Sequence, residues 1–361
     1  MTTGSRRRWF RAATLLLAGL MVAGFALLAE LAVRRRERHR ARPTDMMTTL
    51  YYRHSRLVRG LVRNRDYFGW ARTDSLGLRV STPVPGEAPE TLRILADGGS
   101  TTFDVGVSSG DSTWPARLGR LLSDSTRHVQ VFNAGVPSYI VLDNLIRFEQ
   151  ELHRLRPDVV VLLQGHNDLY EMFHPSEGDP DAPHEAATFT PWGRWLERHS
   201  LLYGKAMAAL RAVTGRLSGS QRPKGSAVER TALAARMTQY ETDVRSYVAI
   251  VQSLGARVVL VEPPHISGNA VAAHAVEAEL WRHAFGDVEP ALVLEGYARQ
   301  REVLRRVAVA TGASIVETAK FGLDSVRFYE PGDPIHFNDA GARVMAAGMA
   351  AALSPLLSPA R

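Results

Sequence analysis

Short apolar runs alternate with amphipathic stretches from residue 91 to residue 357 of the 361-residue chain. The apolar runs have the length of buried strands, and the stretches between them repeat apolar positions every three to four residues, as helices do. Strands are predicted at 92–96, 129–132, 159–163, 257–261 and 314–316. Helices are predicted near 114–122, 142–155, 237–254, 292–310 and 339–356. This alternation predicts one α/β domain, residues 91–357, whose parallel sheet is covered by helices on both faces.

A continuous apolar run of 22 residues, 12–33, precedes this domain and contains no charge before Glu30. At about 1.5 Å per residue, a helix of this length reaches roughly 33 Å, which is enough to cross a bilayer core of about 30 Å. A cleaved signal peptide is the main alternative. It is disfavoured because arginines follow the run at once, without a convincing cleavage site. We predict one transmembrane anchor at 12–33, preceded by a basic tail at 1–11.

The net positive charge of the chain lies beside this run. The chain has a net charge of +7, yet residues 1–42 contain ten arginines and only two acidic residues, Glu30 and Glu37. The remainder is close to neutral, which argues against a nucleic-acid partner. Six arginines follow the run and four precede it, so the positive-inside rule alone favours a cytoplasmic domain. We nevertheless predict an extracytoplasmic domain on a bacterial-type cytoplasmic membrane, because residues 34–42 can extend the helix and reach the outer headgroups.

Two segments differ from the strand and helix pattern. Residues 34–90 are basic and then proline-rich, and we predict that they form a juxtamembrane linker. Residues 170–237 contain no strand pattern and one possible helix near 195–217, and we predict that they are an insertion in the domain.

The composition excludes several kinds of site. The chain has no cysteine, so disulfides, thiol nucleophiles and cysteine-ligated clusters are ruled out. It has neither a Walker A loop nor an HExxH motif. We therefore expect neither a metal nor an organic cofactor.

The first three predicted strands run into loops rich in glycine and small polar residues. Ligands of open parallel sheets bind beyond the carboxyl ends of the strands, so these loops are expected to meet. They contain Ser100, Gly135 and Asn167. Taken singly, Ser100 is more typical of a helix cap or turn than of a nucleophile, and Asp168 is predicted to be a cap.

A serine nucleophile needs a base and a group that orients the base. Asp333 and His336 are three residues apart near the C-terminus, and Pro334 disfavours helix at Asp333. A rigid loop of this kind can turn the carboxylate onto the imidazole. Taken alone, His336 is more typical of a capping or packing histidine.

The four loops together, in this order, resemble the SGNH (GDSL-type) hydrolase family. The matching motifs are GGSTTF around Ser100, NAG ending at Gly135, GHND containing Asn167, and DPIH containing Asp333 and His336. The stretch RTDSLGLR, residues 72–79, is similar to membrane-anchored members, as is the N-terminal anchor itself. The resemblance covers residues 91–357 and implies a three-layer αβα, flavodoxin-like fold. Where the family motif has aspartate before the serine, this chain has Gly99, so no carboxylate role is expected there.

The resemblance implies a serine ester hydrolase. Ser100 would attack the ester carbonyl, His336 would serve as base and then acid, and Asp333 would fix the imidazole. The oxyanion would be held by the backbone N–H groups of Ser100 and Gly135 and by the Asn167 amide. The implied substrate is an ester, such as an acylated carbohydrate or lipid.

Two other functions stay open at this point. The same triad would serve O-acyl transfer to a cell-envelope polysaccharide, since only the acceptor differs. A non-catalytic glycan-binding module on the same fold is the third, although binding alone does not require all five site residues. The acyl group, the natural substrate and the oligomeric state cannot be read from the sequence.

Overall fold

The computed structural model describes residues 3–38, 51–52, 60–67, 69–82, 91–125, 127–174, 200, 202–203, 206, 230–266, 280–281, 284–286 and 288–357. The chain forms two compact units. One comprises residues 1–52 with 187–220, and the other comprises residues 53–186 with 221–361. Apart from the four single residues between 200 and 206, the helix predicted near 195–217 lies outside the described residues.

The described residues of the first unit include a long helix, α1 (Thr3–Arg38), and a short strand, β1 (Tyr51–Tyr52). Within α1, Ala13–Arg36 has a mean hydropathy of 2.3, and none of its most apolar window is buried. Glu30, the charge inside the apolar run, accepts hydrogen bonds from Arg34 at 2.7 Å and from the Ser200 hydroxyl at 2.8 Å. By length and composition this helix is a candidate membrane span.

The second unit is built on a five-stranded parallel sheet. Three strands of two residues precede it: β2 (Gly60–Leu61), β3 (Asp66–Tyr67) and β4 (Ala71–Arg72). The sheet strands are β5 (Thr91–Gly98), β6 (His128–Asn133), β7 (Val159–Leu163), β8 (Arg257–Val261) and β9 (Ser314–Val316), in the order β6-β5-β7-β8-β9. This order places the first sheet strand second, as in flavodoxin-like folds. The predicted three-layer architecture is confirmed, and the last three strands have the predicted limits.

Seven helices of the second unit are described, along with 3-10 turns at Gly110–Ser112, Leu152–Leu155, Thr318–Phe321 and Val326–Phe328. They are α2 (Ser100–Phe103), α3 (Trp114–Leu122), α4 (Val141–Gln150), α5 (His166–Phe173), α6 (Arg230–Ser253), α7 (Pro290–Thr311) and α8 (Asp339–Leu357). The sequence pattern did not predict α2 or α5. Helix α6 begins at Arg230, inside the predicted insertion, because Leu233 and Met237 extend its buried face.

The sheet separates two apolar cores because side chains alternate along its strands. In β7, Val160 and Leu162 join the core shared by α4, α6 and α7, while Val161 and Leu163 join the core shared by α3 and α8. Helix α8 also meets the length and composition expected of a membrane span, but it packs on α3 and is partly buried. Its apolar residues are therefore accounted for by this core.

The segment 60–82 differs from the linker predicted at 34–90. Its Trp70 and Leu78 are buried, and Arg79 is only 4% exposed. The Arg79 guanidinium lies over the rings of Trp70 and Phe103, and it donates to the carbonyl oxygens of Trp70, Phe103 and Asp104 at 2.8–2.9 Å. This part of the predicted linker is folded into the second unit, because its apolar residues are buried there.

Candidate active site

Ser100 is the first residue of the one-turn helix α2, directly after β5. Its Oγ lies 2.7 Å from His336 Nε2. The Ser100 N–H has no acceptor within the helix, because the first turn of a helix leaves its N–H groups free. Ser100 therefore presents both a hydroxyl and a backbone donor at the carboxyl edge of the sheet.

His336 is oriented by a short loop that precedes α8. The Asp333 carboxylate accepts from His336 Nδ1 at 2.6 Å through one oxygen. Its other oxygen accepts the backbone N–H groups of Ile335 at 2.8 Å and His336 at 3.0 Å. Burial by itself would raise the pKa of Asp333, but the hydrogen bond and positive charge of His336, with the two backbone donors, lower it to about 2. The carboxylate is thus ionised and fixed on Nδ1.

Asn167 lies in the first turn of α5, and a two-residue connection, Gln164 and Gly165, joins this helix to β7. Its Nδ2 donates one hydrogen to the carbonyl oxygen of Tyr139 at 2.8 Å, which leaves the second hydrogen for another acceptor. Gln164 also donates to the Tyr139 carbonyl and, at 2.9 Å, to Asp168. These bonds join the loops that follow β6 and β7.

Because Gly99 has no side chain, the side chains of Asn167 and Gln164 can lie close to the backbone beside Ser100. A Cβ at this position would lie 2.8 Å from Asn167 Nδ2 and 3.1 Å from Gln164 Oε1. Real Cβ atoms do not approach other atoms so closely, so a side chain here would displace the amide. The departure from the family motif is therefore matched by the position of Asn167.

Gly135 packs against the far end of the serine helix. A Cβ at Gly135 would lie 2.0 Å from the backbone nitrogen of Phe103, so only glycine fits. The Gly135 N–H donates to Asn133 Oδ1 at 3.1 Å. The structure thus brings Gly135 close to α2, but its N–H already has a side-chain acceptor.

Asp168 caps a helix other than its own. Its carboxylate accepts the N–H of Val141, the first residue of α4, at 2.9 Å, together with the Gln164 amide. Burial raises the pKa of Asp168 to about 7. The predicted cap therefore acts between two loops, 27 residues apart in the chain.

The sequence analysis did not single out His166. It is the first residue of α5, it is only 6% exposed, and its Nδ1 lies 2.6 Å from the hydroxyl of Tyr297 in α7. Burial lowers the pKa of His166 to about 3, and the neighbouring histidines His265 and His336 lower it further. The motif GHND does contain this histidine, but nothing in the sequence pairs it with a tyrosine 131 residues away.

Four of the predicted site residues line one cleft of about 200 Å³, and Gly135 does not. It is lined by Ser100, His166, Asn167, Tyr170, Ala284, Phe285, Gly332, Asp333, Pro334, Ile335 and His336. The cleft thus combines an apolar surface with a few convergent polar groups, which is typical of small-molecule sites. Within the described ranges, no cluster of three or more histidine and acidic side chains is arranged to hold a metal ion.

A hydroxyl, an imidazole and a carboxylate in one hydrogen-bonded series form an arrangement suited to nucleophilic acyl transfer. The model of the GDSL-like Lipase/Acylhydrolase family matches residues 96–344. That range contains all five residues predicted for the site.

Several solved structures are similar to this chain at low identity. A lipase/acylhydrolase from Enterococcus faecalis is 14% identical, with a TM-score of 0.43, over 75% of this chain and 99% of that one. An α/β hydrolase from the metagenome of Lake Arreo, Spain, is 20% identical, with a TM-score of 0.44, over 76% and 99%. A catalytic mutant of an acetylxylan esterase from Geobacillus stearothermophilus is 15% identical, with a TM-score of 0.43, over 73% and 94%. No curated protein matches the sequence.

Proposed function

The chain belongs to the GDSL-like lipase/acylhydrolase family, and from this premise we propose that it is a membrane-anchored serine ester hydrolase. Ser100, His336 and Asp333 form its catalytic triad. The observation that carries the proposal is the continuous hydrogen-bonded series from Ser100 Oγ through the imidazole to Asp333, with separations of 2.7 and 2.6 Å.

The reaction takes place in two halves. In the first, Ser100 Oγ attacks the ester carbonyl carbon while His336 Nε2 takes the hydroxyl proton. The tetrahedral intermediate collapses, His336 returns that proton to the leaving alcohol, and the acyl group stays on Ser100. In the second, a water molecule attacks the acyl-serine while His336 Nε2 takes its proton, and His336 returns that proton to Ser100 Oγ as the acyl–oxygen bond breaks and the carboxylic acid leaves. Asp333 keeps the proton on Nδ1 and stabilises the imidazolium throughout.

Three donors stabilise the oxyanion in this proposal. The Ser100 N–H and the second Nδ2 hydrogen of Asn167 are available in the free enzyme. The Gly135 N–H has to leave Asn133 Oδ1, to which it is bonded at 3.1 Å, before it can bind the oxyanion. Each such donor is worth about 3–4 kcal/mol in the transition state.

The test uses the purified full-length chain in detergent with 4-nitrophenyl esters of increasing acyl length. We expect hydrolysis by the wild type, loss of it in Ser100→Ala, and labelling of Ser100 alone by a fluorophosphonate. Ser108→Ala, an exposed serine in the same unit, serves as the matched control and should keep full activity. If no ester is cleaved and Ser100 is not labelled, the proposal fails. Product analysis with added glycans tells whether water or a sugar hydroxyl receives the acyl group.

Residues 12–33 of α1 are proposed as the anchor, with residues 1–11 on the cytoplasmic side of the membrane and the catalytic unit on the opposite side. The support is its length, its mean hydropathy of 2.3 and the exposure of its apolar side chains. Fusing an export-dependent phosphatase to the C-terminus should give an active reporter in the membrane fraction. An inactive fusion, beside an active cytoplasm-only reporter at the same point, would reverse the orientation. Release of the active fusion into the soluble fraction would identify α1 as a cleaved signal.

A further inference from the structure

Gln164 is a buried amide that has no part in the reaction proposed above. It is the first residue after β7, it is 4% exposed, and it does not line the cleft. A buried amide costs free energy unless its hydrogen bonds are made. The Gln164 Nε2 donates one hydrogen to the carbonyl oxygen of Tyr139 and the other to Asp168 Oδ2, the latter at 2.9 Å. Both hydrogens of this nitrogen are therefore in use.

The two acceptors determine which way round the Gln164 amide lies. A backbone carbonyl and an ionised carboxylate can only accept, so the edge of the amide that faces them carries the nitrogen. The Oε1 edge faces Gly99, where a Cβ would lie 3.1 Å from it. A reversed amide would place its oxygen against two other oxygens. The Asp168 carboxylate thus keeps the Gln164 nitrogen directed at Tyr139.

Asp168 also holds the segment that follows Tyr139. Its Oδ1 accepts the N–H of Val141 at 2.9 Å. Gln164 and Asp168 together therefore bind a carbonyl and an N–H that lie two residues apart in the loop after β6. The position of the Tyr139 carbonyl is set by side chains that come from the other loop, the one after β7.

The position of this carbonyl matters because Asn167 binds it as well. The Asn167 Nδ2 donates one hydrogen to the Tyr139 oxygen at 2.8 Å. This bond fixes the rotation of the Asn167 amide. Since the two N–H bonds of an amide group diverge at a fixed angle, it also fixes the direction of the second hydrogen, which is the one proposed to bind the oxyanion. A displaced carbonyl would turn that hydrogen away.

We propose that Gln164 is a positioning residue for the oxyanion site, holding the Tyr139 carbonyl where it aligns the Asn167 amide, and that Asp168 acts in the same way through Gln164. This inference rests on the proposed function. Neither side chain touches the substrate, and each acts by restricting Asn167. Because the oxyanion forms only after attack on the ester, the alignment affects kcat more than KM.

A double-mutant cycle tests whether Gln164 acts through Asn167. The full-length chain is assayed on a short 4-nitrophenyl ester at about pH 8.5, above the pKa of about 7 that burial gives Asp168, so that this carboxylate is ionised. Gln164→Met keeps the length of the side chain without its hydrogen bonds. We expect it to lower kcat about tenfold and to change KM less than about threefold. In the Asn167→Ala background it should lower kcat less than about twofold, because the group that it misaligns is gone.

Gln300→Met is the matched control. Gln300 is fully buried too, and its Nε2 donates at 2.8 Å to the carbonyl oxygen of Gly165, the neighbour of Gln164. No hydrogen bond in the described part of the chain joins it to Tyr139. Its effect on kcat should therefore be equal with and without Asn167.

Asp168→Asn reaches the same alignment by a second route. The new amide offers one acceptor where the Val141 N–H and the Gln164 amide need two. We expect kcat to fall about threefold or more, again only while Asn167 is present. This variant also gives a result if Gln164→Met fails to fold, which thermal unfolding would reveal.

Equal losses from Gln164→Met in the two backgrounds, or an equally large coupling for Gln300→Met, would overturn the inference and indicate a general disturbance of the loop. An unchanged kcat in Gln164→Met, or wild-type kcat in Asn167→Ala, would overturn it as well. Unfolding of both Gln164→Met and Asp168→Asn would assign these residues a structural role instead. All these results leave the hydrolase intact. Failure of the proposed function looks different, because the wild type then cleaves no ester or Ser100→Ala remains active.

Discussion

His336 and His166 line the same cleft, but they are held at Nδ1 by different groups. For His336 the partner is the Asp333 carboxylate at 2.6 Å, and for His166 it is the Tyr297 hydroxyl, also at 2.6 Å. A carboxylate stabilises an imidazolium, whereas a phenol that donates its proton stabilises the neutral ring. The difference indicates that the Nδ1 partner, more than the position in the cleft, determines whether the charged or the neutral form of a histidine is favoured.

Solvent exposure reinforces this contrast. The His336 side chain is 25% exposed, so water can still solvate its charge. His166 is 6% exposed and shares its surroundings with the ring of His265, which stacks on Tyr297 with centroids 4.6 Å apart. A second positive charge beside the base is thereby avoided.

The largest change in activity is expected when the Asp333 carboxylate is removed. Asp333→Asn is expected to lower kcat on a short aryl ester by about 10⁴-fold, because the amide no longer stabilises the imidazolium and favours the wrong tautomer. Asp324→Asn, an exposed carboxylate nearby, is the control. A loss below about tenfold would mean that the Nδ1 partner does not define the base.

Asn167→Ala tests a donor that needs no protonation change. We expect kcat to fall by about 10²–10³-fold, as for other oxyanion donors. The fold should persist, because Gln164 still donates to the Tyr139 carbonyl. Full activity would remove Asn167 from the oxyanion site, and unfolding at room temperature would instead indicate a structural role in joining the two loops.

The pH dependence of stability tests the neutral histidine. The folded-state pKa of His166, about 3, lies below its ordinary value of 6.5. As the pH falls below 6.5, this histidine binds a proton in the unfolded chain but stays neutral in the folded protein. The free energy of unfolding therefore decreases. His166→Phe lacks this term and should lose about 2 kcal/mol less than the wild type between pH 7 and pH 5. Urea unfolding at both pH values measures it, and equal losses would show that the folded ring can be charged.

The smallest effect concerns the approach of the loops. Gly99→Ala should lower kcat about tenfold, since its Cβ would push the Asn167 amide from its position. Gly19→Ala in α1, where nothing lies within 4 Å of the added atom, is the control. An unchanged kcat would show that the amide can move without loss.

The sequence predicted the pairing of Asp333 and His336 better than it predicted the contacts made by the loop that follows β7. Asp333 and His336 are three residues apart beside a proline, so their pairing follows from local chain geometry. The strands could be predicted in the same local way. The strand at 159–163, for example, is a continuous apolar run. The pairs Gln164–Tyr139 and His166–Tyr297 join residues 25 and 131 positions apart, and no local pattern marks them. Such contacts become visible only after the fold has brought the loops together.

Asp168 also shows that the local sequence predicts the type of interaction but not the partner. Local reasoning assigned it as a cap, which is the chemistry it performs, but the N–H group that it accepts at 2.9 Å belongs to Val141 of another helix, α4. Side-chain type predicts what a group can do. The identity of its partner depends on the order of strands in the sheet.

The buried guanidinium of Arg79 has a practical consequence for anyone shortening this chain to crystallise it without its apolar helix. The family match begins at residue 96 and the first sheet strand at residue 91, so either limit invites a cut that discards Arg79. Such a truncation would leave the carbonyls of Phe103 and Asp104 without their donor, immediately behind the nucleophile. A version that starts before residue 60 keeps this support, because the folded unit extends further toward the N-terminus than the family match does.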